Sequence, residues 1–163
     1  MRRKMACSRA ILRLLTGLLI FSAGAAAQTD PSSGLSSGLT SGLKVDRVLV
    51  LKERHILQLL NGGHVLKEYK VALGGSPVGP KTQQGDHKTP EGTYILDSRN
   101  SKSQFYKSLH ISYPTQQQRA AARKRGTSPG GDVFVHGLPN GARLIGAAHR
   151  LRDWTDGCIA VTD

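Results

Sequence analysis

Asn61-Gly62-Gly63 separates two runs rich in apolar residues, and this step most restricts what the chain can become. A tight hairpin turn needs positive φ at its central residues, which Asn and Gly supply cheaply. Val48, Val50, Ile56, Leu57, Leu59 and Leu60 lie before it, and Val65, Leu66, Tyr69, Val71 and Leu73 follow. The pattern predicts antiparallel strands. Gly74 to Gly92, punctuated by Gly79-Pro80 and Thr89-Pro90-Glu91-Gly92, reads as a long ordered loop. Further strands are predicted over 92–97, 108–113 and 132–136, and a surface helix over Thr115 to Arg125, ended by Gly126. The expected fold is therefore mainly β with one or two short helices.

Residues 1–27 read as an export signal. Arg2, Arg3, Lys4, Arg9 and Arg13 form a basic head, Leu14 to Ala23 an apolar stretch, and Ala25-Ala26-Ala27 a small-residue cleavage site. The apolar stretch is short of the roughly 20 residues a spanning helix needs. The product is thus expected in the periplasm or cell envelope, with no membrane span after cleavage. No cysteine follows the apolar run closely, which argues against a lipoprotein anchor. Residues 28–44 repeat Ser-Gly-Leu three times in a Ser/Gly/Thr-rich background and read as a flexible linker. Residues 45–163 are enough for one domain with its own core and too few for two.

Removing the leader takes away five of the 23 basic residues and none of the 11 acidic ones, lowering the net charge from +12 to +7. Such a surface favours anionic partners. For an exported protein these are wall polymers or lipid headgroups sooner than nucleic acid, since aromatic residues make up only 5% of the chain and no nucleic-acid motif is present.

Cleavage also removes Cys7 and leaves Cys158 as the lone thiol, with His136 lying 22 residues before it. A thiol is only partly ionised at neutral pH, so attack on an amide needs an imidazole to take its proton. Cys158 is the candidate nucleophile and His136 the candidate base. The Gly137 carbonyl is a candidate orienter of the imidazole, and Gly157 lets the backbone pass close to substrate and form an oxyanion hole with the Cys158 amide. Taken singly, a free cysteine is more often a small buried apolar residue and a histidine a satisfied structural one. The case rests on the pairing. His149 reads as solvated as readily as functional, and His55, His64 and His87 have no partner pattern. Arg143, Arg150 and Arg152 could meet substrate carboxylates or simply form an exposed basic loop. His136, His149, Asp156 and Cys158 are all acceptable zinc ligands, but no close-spaced ligand motif is present and no metal is expected.

Beyond these residues, Gly79-Pro80-Lys81, Gly85-Asp86, Lys88-Thr89-Pro90-Glu91-Gly92-Thr93-Tyr94, Leu109-His110-Ile111-Ser112-Tyr113-Pro114, His136-Gly137 and Thr155-Asp156-Gly157-Cys158 occur in order. Together they resemble the L,D-transpeptidase catalytic domain, or YkuD, family over essentially all of 45–163. Asp156 stands where most members carry histidine, and Thr-Asp-Gly-Cys-Ile-Ala is similar to the YafK-like periplasmic subgroup. The resemblance implies a β-sandwich or barrel and a thioester acyl-enzyme formed on the diaminopimelate-containing stem peptide of peptidoglycan. It implies a role in wall crosslinking or remodelling and no cofactor. His110, Thr155, Asp156 and Arg152 are the expected substrate contacts. A hydrolase of the same family, releasing wall-linked lipoprotein or peptide, is the alternative. Members usually continue past the nucleophile through a further strand or helix, whereas Asp163 follows Cys158 by only five residues. That feature adds a third expectation, a C-terminally short domain that binds wall without catalysis.

Overall fold

The computed structural model describes residues 3–7, as a strand, and residues 44–163. The rest of the expected export signal and nearly all of the Ser-Gly-Leu linker lie outside the described residues. The strands are β1 (Arg3–Cys7), β2 (Arg47–Leu51), β3 (Ile56–Asn61), β4 (His64–Lys70), β5 (Gly92–Ser103), β6 (Tyr106–Ile111), β7 (Phe134–His136) and β8 (Ile159–Ala160). One α-helix, α1 (Gln116–Lys124), and two 3-10 segments, Lys52–Arg54 and Arg143–Leu151, complete the described elements.

The strands form one sheet in the order β4-β3-β2-β1-β5-β6-β7-β8. Its two ends then meet. Ala72, just past β4, exchanges both backbone hydrogen bonds with Ala160 of β8, at 3.0 and 2.9 Å, and Gly74 bridges Thr155. The fold is mainly β, as the sequence pattern requires.

The hairpin at Asn61 forms where expected, with Gly62 and Gly63 at φ 56° and 87°. In β2 the period of two sends Val48 and Val50 inward. They meet Leu57, Val71, Leu73, Tyr94, Ile111, Val135 and Ile159 in a single core. Each such side chain contributes about 1.5–3 kcal/mol by leaving water. Helix α1 starts at a capping box, in which the Thr115 hydroxyl accepts from the Gln118 N–H and the Gln118 side chain accepts from the Thr115 N–H. Gly126, at φ 68°, follows its last turn.

Three expected boundaries differ. β5 runs on from Asp97 to Ser103 and β6 begins at Tyr106, so a polar hairpin extends beyond the core. Its register slips twice, between Leu96 and Ser98 and between Asn100 and Ser103, which erases the period-two signal. Residues 143–151, expected as an exposed basic loop, form 3-10 turns broken at Gly146. Arg3–Cys7, part of the expected leader, pairs parallel with β2 and antiparallel with β5.

The long loop 74–92 is ordered by buried polar groups. The Lys52 ammonium, 8% exposed, donates to the Gly79 and Thr89 carbonyls, each at 2.8 Å, and to Glu91 Oε1 at 3.0 Å. Leu73 leads into this loop fully buried, and its carbonyl accepts the N–H groups of Trp154 and Thr155. Leu73→Ala is expected to cost about 2–5 kcal/mol in urea unfolding. It should also speed alkylation of Cys158 under native conditions, because loosening the turn that carries the thiol relieves the burial that keeps it protonated.

Candidate active site

β7 and β8 lie parallel, with Val135 opposite Ile159 and His136 opposite Ala160. His136 ends β7 and Cys158 immediately precedes β8. Both line one cavity of about 460 Å³.

The His136 ring is 5% exposed. Its Nδ1 lies 2.6 Å from the Gly137 carbonyl. A carbonyl only accepts, so Nδ1 holds the hydrogen and Nε2 carries the lone pair. Phe105 packs on the imidazole at 4.6 Å between centroids and Trp154 meets it edge-on at 5.9 Å. This burial drives the imidazole below its usual pKa, against the opposing pull of the Gly137 hydrogen bond. Burial likewise pushes the Cys158 thiol up, while the Phe134 N–H, 3.4 Å from Sγ, pulls it down. Both shifts favour the uncharged forms, thiol and imidazole, and Sγ donates toward the Asp132 carbonyl at 3.9 Å.

The turn before Cys158 is held by Thr155. Its hydroxyl donates to the Cys158 carbonyl at 2.8 Å and accepts the Gly157 N–H at 3.2 Å. Thr155 lines the cavity, yet its hydroxyl serves the turn. The Gly157 N–H is committed to Thr155, so it does not stand as the oxyanion donor expected from the sequence. Gly157 instead permits close approach: at φ 130°, a Cβ there would sit 2.6 Å from the Lys88 carbonyl oxygen.

Asp156 lines the cavity with an exposed side chain and meets His87 Nδ1 at 2.7 Å. His110 is one strand away, hydrogen-bonded to Asp97 and edge-on to Phe134 at 5.1 Å, and touches the cavity only through that ring. Arg152 and His149 line a neighbouring cavity with Trp154 and Ile145, not the one containing Cys158. The four residues with zinc-ligand chemistry are thus divided, and among the described residues no three His, Cys, Asp or Glu side chains converge to hold a metal.

Sequence reasoning missed Phe105, Trp154, Asp132 and His87 near the site. Phe105, which with Tyr106 forms an aromatic pair in a polar stretch, was the one visible signal. His55 and His87 both gain aspartate partners, Asp153 at 2.9 Å and Asp156, from segments far along the chain.

A sheet closed between Ala72 and Ala160 thus brings a buried imidazole and a thiol to one cavity. Residues 45–163 match the L,D-transpeptidase catalytic domain, YkuD, and the chain belongs to that family. It is similar to the protein named "Putative L,D-transpeptidase YafK" in Escherichia coli strain K12 and in strain O157:H7, at 38% identity over 58 residues in each. That alignment covers 34% of this chain and 24% of the relative, so the chain spans about a quarter of the curated relatives it matches. Among solved structures it is similar to Bd1075 of Bdellovibrio bacteriovorus, at 27% identity and a TM-score of 0.45, covering 71% of this chain and 39% of that one.

Gly157→Ala should cost more than about 2 kcal/mol, since it combines strained φ with a backbone clash. Gly62→Ala, with φ 56° and no atom within 4 Å of the new Cβ, should cost only about 1 kcal/mol. Thermal melts of the two variants check the difference.

Proposed function

We propose that the protein is an exported L,D-transpeptidase that acts through Cys158 on the diaminopimelate-containing stem peptide of peptidoglycan. The observation that carries this reading is the His136 ring, fixed by the Gly137 carbonyl with its lone pair at Nε2, in the cavity that Cys158 lines. Family membership supports the wall polymer as substrate. The basic head, apolar stretch and Ala25-Ala26-Ala27 support export. No helix among the described residues is long and apolar enough to cross a membrane.

In the first half-reaction Sγ attacks the carbonyl carbon at the L-centre of diaminopimelate while His136 Nε2 takes the thiol proton. The Cys158 N–H faces the developing oxyanion. The imidazolium then gives its proton to the leaving amine, the C–N bond breaks, and a thioester remains. In the second half-reaction an acceptor amine, deprotonated by His136, attacks the thioester, and Sγ leaves with the proton returned to it. Water in place of the amine makes the same site a hydrolase that releases peptide or wall-linked lipoprotein. Thr155 acts by holding the turn, and Asp156 stands at the cavity mouth where an acceptor would enter.

Incubation with tetrapeptide muropeptides, followed by intact-mass and product analysis, tests this. An acyl adduct and crosslinked products absent in Cys158→Ala are expected. Shortened stems alone would mean hydrolysis, and no adduct from folded protein would leave a wall-binding module. His136→Ala should lower kcat/KM by about 10²–10⁴-fold. Because burial lowers the His136 pKa, the base stays neutral below the usual imidazole value. The acid limb of kcat/KM should therefore fall at a pH under 6.5.

A further inference from the structure

The mechanism leaves one buried cation beside the site without a role. The Lys81 side chain is 4% exposed and its Nζ lies 2.7 Å from Asp86 Oδ1. The same Nζ reaches the Asp156 carbonyl at 3.5 Å and lies 3.6 Å from where a Cβ on Gly157 would be. Asp86 is itself fully engaged. Burial alone would raise its carboxyl, but Lys81 and the N–H groups of Thr82, Gln83 and Lys88 outweigh that and hold it at about 2. The ammonium is thus anchored against the Asp156–Gly157 peptide, immediately before the nucleophile.

We propose that Lys81 is a positioning residue for Cys158: it fixes the turn through the Asp156 carbonyl and places a buried positive charge beside the thiol to favour the thiolate. The proposal rests on Cys158 being the nucleophile.

The surrounding charges give the cation a task. From its own turn Cys158 meets Asp156, which is paired with His87, and from the segment before β7 it meets Asp132. Both raise the thiol, as burial does more strongly. β7 contributes neutral His136 and the Phe134 N–H. The β5–β6 hairpin lines the cavity with Asn100, Ser103, Gln104, Phe105 and Ser108 and adds no charge. Lys81, from the 74–92 loop, supplies the opposing positive charge. An opposite charge in a poorly solvated site stabilises an anion far more than the same charge in water.

The test is the pH dependence of Cys158 alkylation by iodoacetamide, followed peptide by peptide in mass spectrometry so that Cys7 does not contribute. Lys81→Met should move the alkylation midpoint to higher pH and slow the reaction at neutral pH about tenfold. Lys81→Arg should restore a profile close to the native one. Lys81→Met alone leaves Asp86 buried without its cation, so Lys81→Met/Asp86→Asn is measured beside it as a neutral pair that removes this folding penalty. A folded double variant with the same upward shift supports the role in thiolate stabilisation. A folded variant lacking Lys81 with an unchanged profile overturns it. The readout needs no substrate, so it is independent of muropeptide turnover: turnover with a Lys81-indifferent profile defeats this proposal alone, and a Lys81-dependent profile without turnover defeats only the proposed activity.

Discussion

The paired backbone hydrogen bonds between Ala72 and Ala160 are the contact on which the remaining architecture depends. They join the end of one hairpin to the last strand and turn an open sheet into a closed one. A closed sheet has no free edge at that seam, so its register resists slipping. The chain continues from the seam in both directions into the site. On one side Leu73 accepts from Trp154 and Thr155 and gives its own N–H to Asp153 Oδ1 at 2.7 Å. On the other, Ala160 sits opposite His136 in β7. The turn that carries Cys158 and the strand that carries His136 are therefore both tied to the seam.

Closure also creates the electrostatic setting. Packing Phe105 and Trp154 against His136 strips water from the imidazole, and the same burial opposes ionisation of Cys158. Each shift alone would look like a handicap, since the thiolate is the stronger nucleophile. Together they favour the uncharged form of each group. A thiol held this way is also less open to adventitious oxidation than a resting thiolate.

What was legible in the sequence follows from which signals are local. The Asn61-Gly62-Gly63 turn and the Gly126 stop are each encoded within a few residues, and each appears in the structure. Cys158 and His136 were visible because of their residue types and motif neighbours. Their relation required the pairing of β7 with β8, whose two residues are too short to show a period. The 98–108 hairpin was invisible for a different reason. Its strands lie outside the core, and bulges shift their alternation, so neither hydrophobicity nor period marks them. His87 was unreadable because its partner, Asp156, is brought to it only by the closed sheet.

The first residues show how one stretch of sequence can carry two incompatible readings. Arg2, Arg3 and Lys4 have the composition of a leader's basic head, whereas Arg3–Cys7 meets a purely backbone requirement between β2 and β5. Any extended segment can satisfy a ladder of N–H and C=O groups, so strand pairing asks little of side-chain pattern. Export and cleavage ask for charge, apolarity and small residues in sequence, and the same chain offers those too. The two uses exclude each other in one molecule. With residues 1–27 removed, β2 keeps only its ladder to β3 and β5 only its ladder to β6, and the facing edges would have to be paired, covered or left to water. The seam at Ala72 and Ala160, together with β6, β7 and β8, lies away from that gap. The ladders of β6, β7 and β8 and the seam are thus hydrogen-bonded independently of β1.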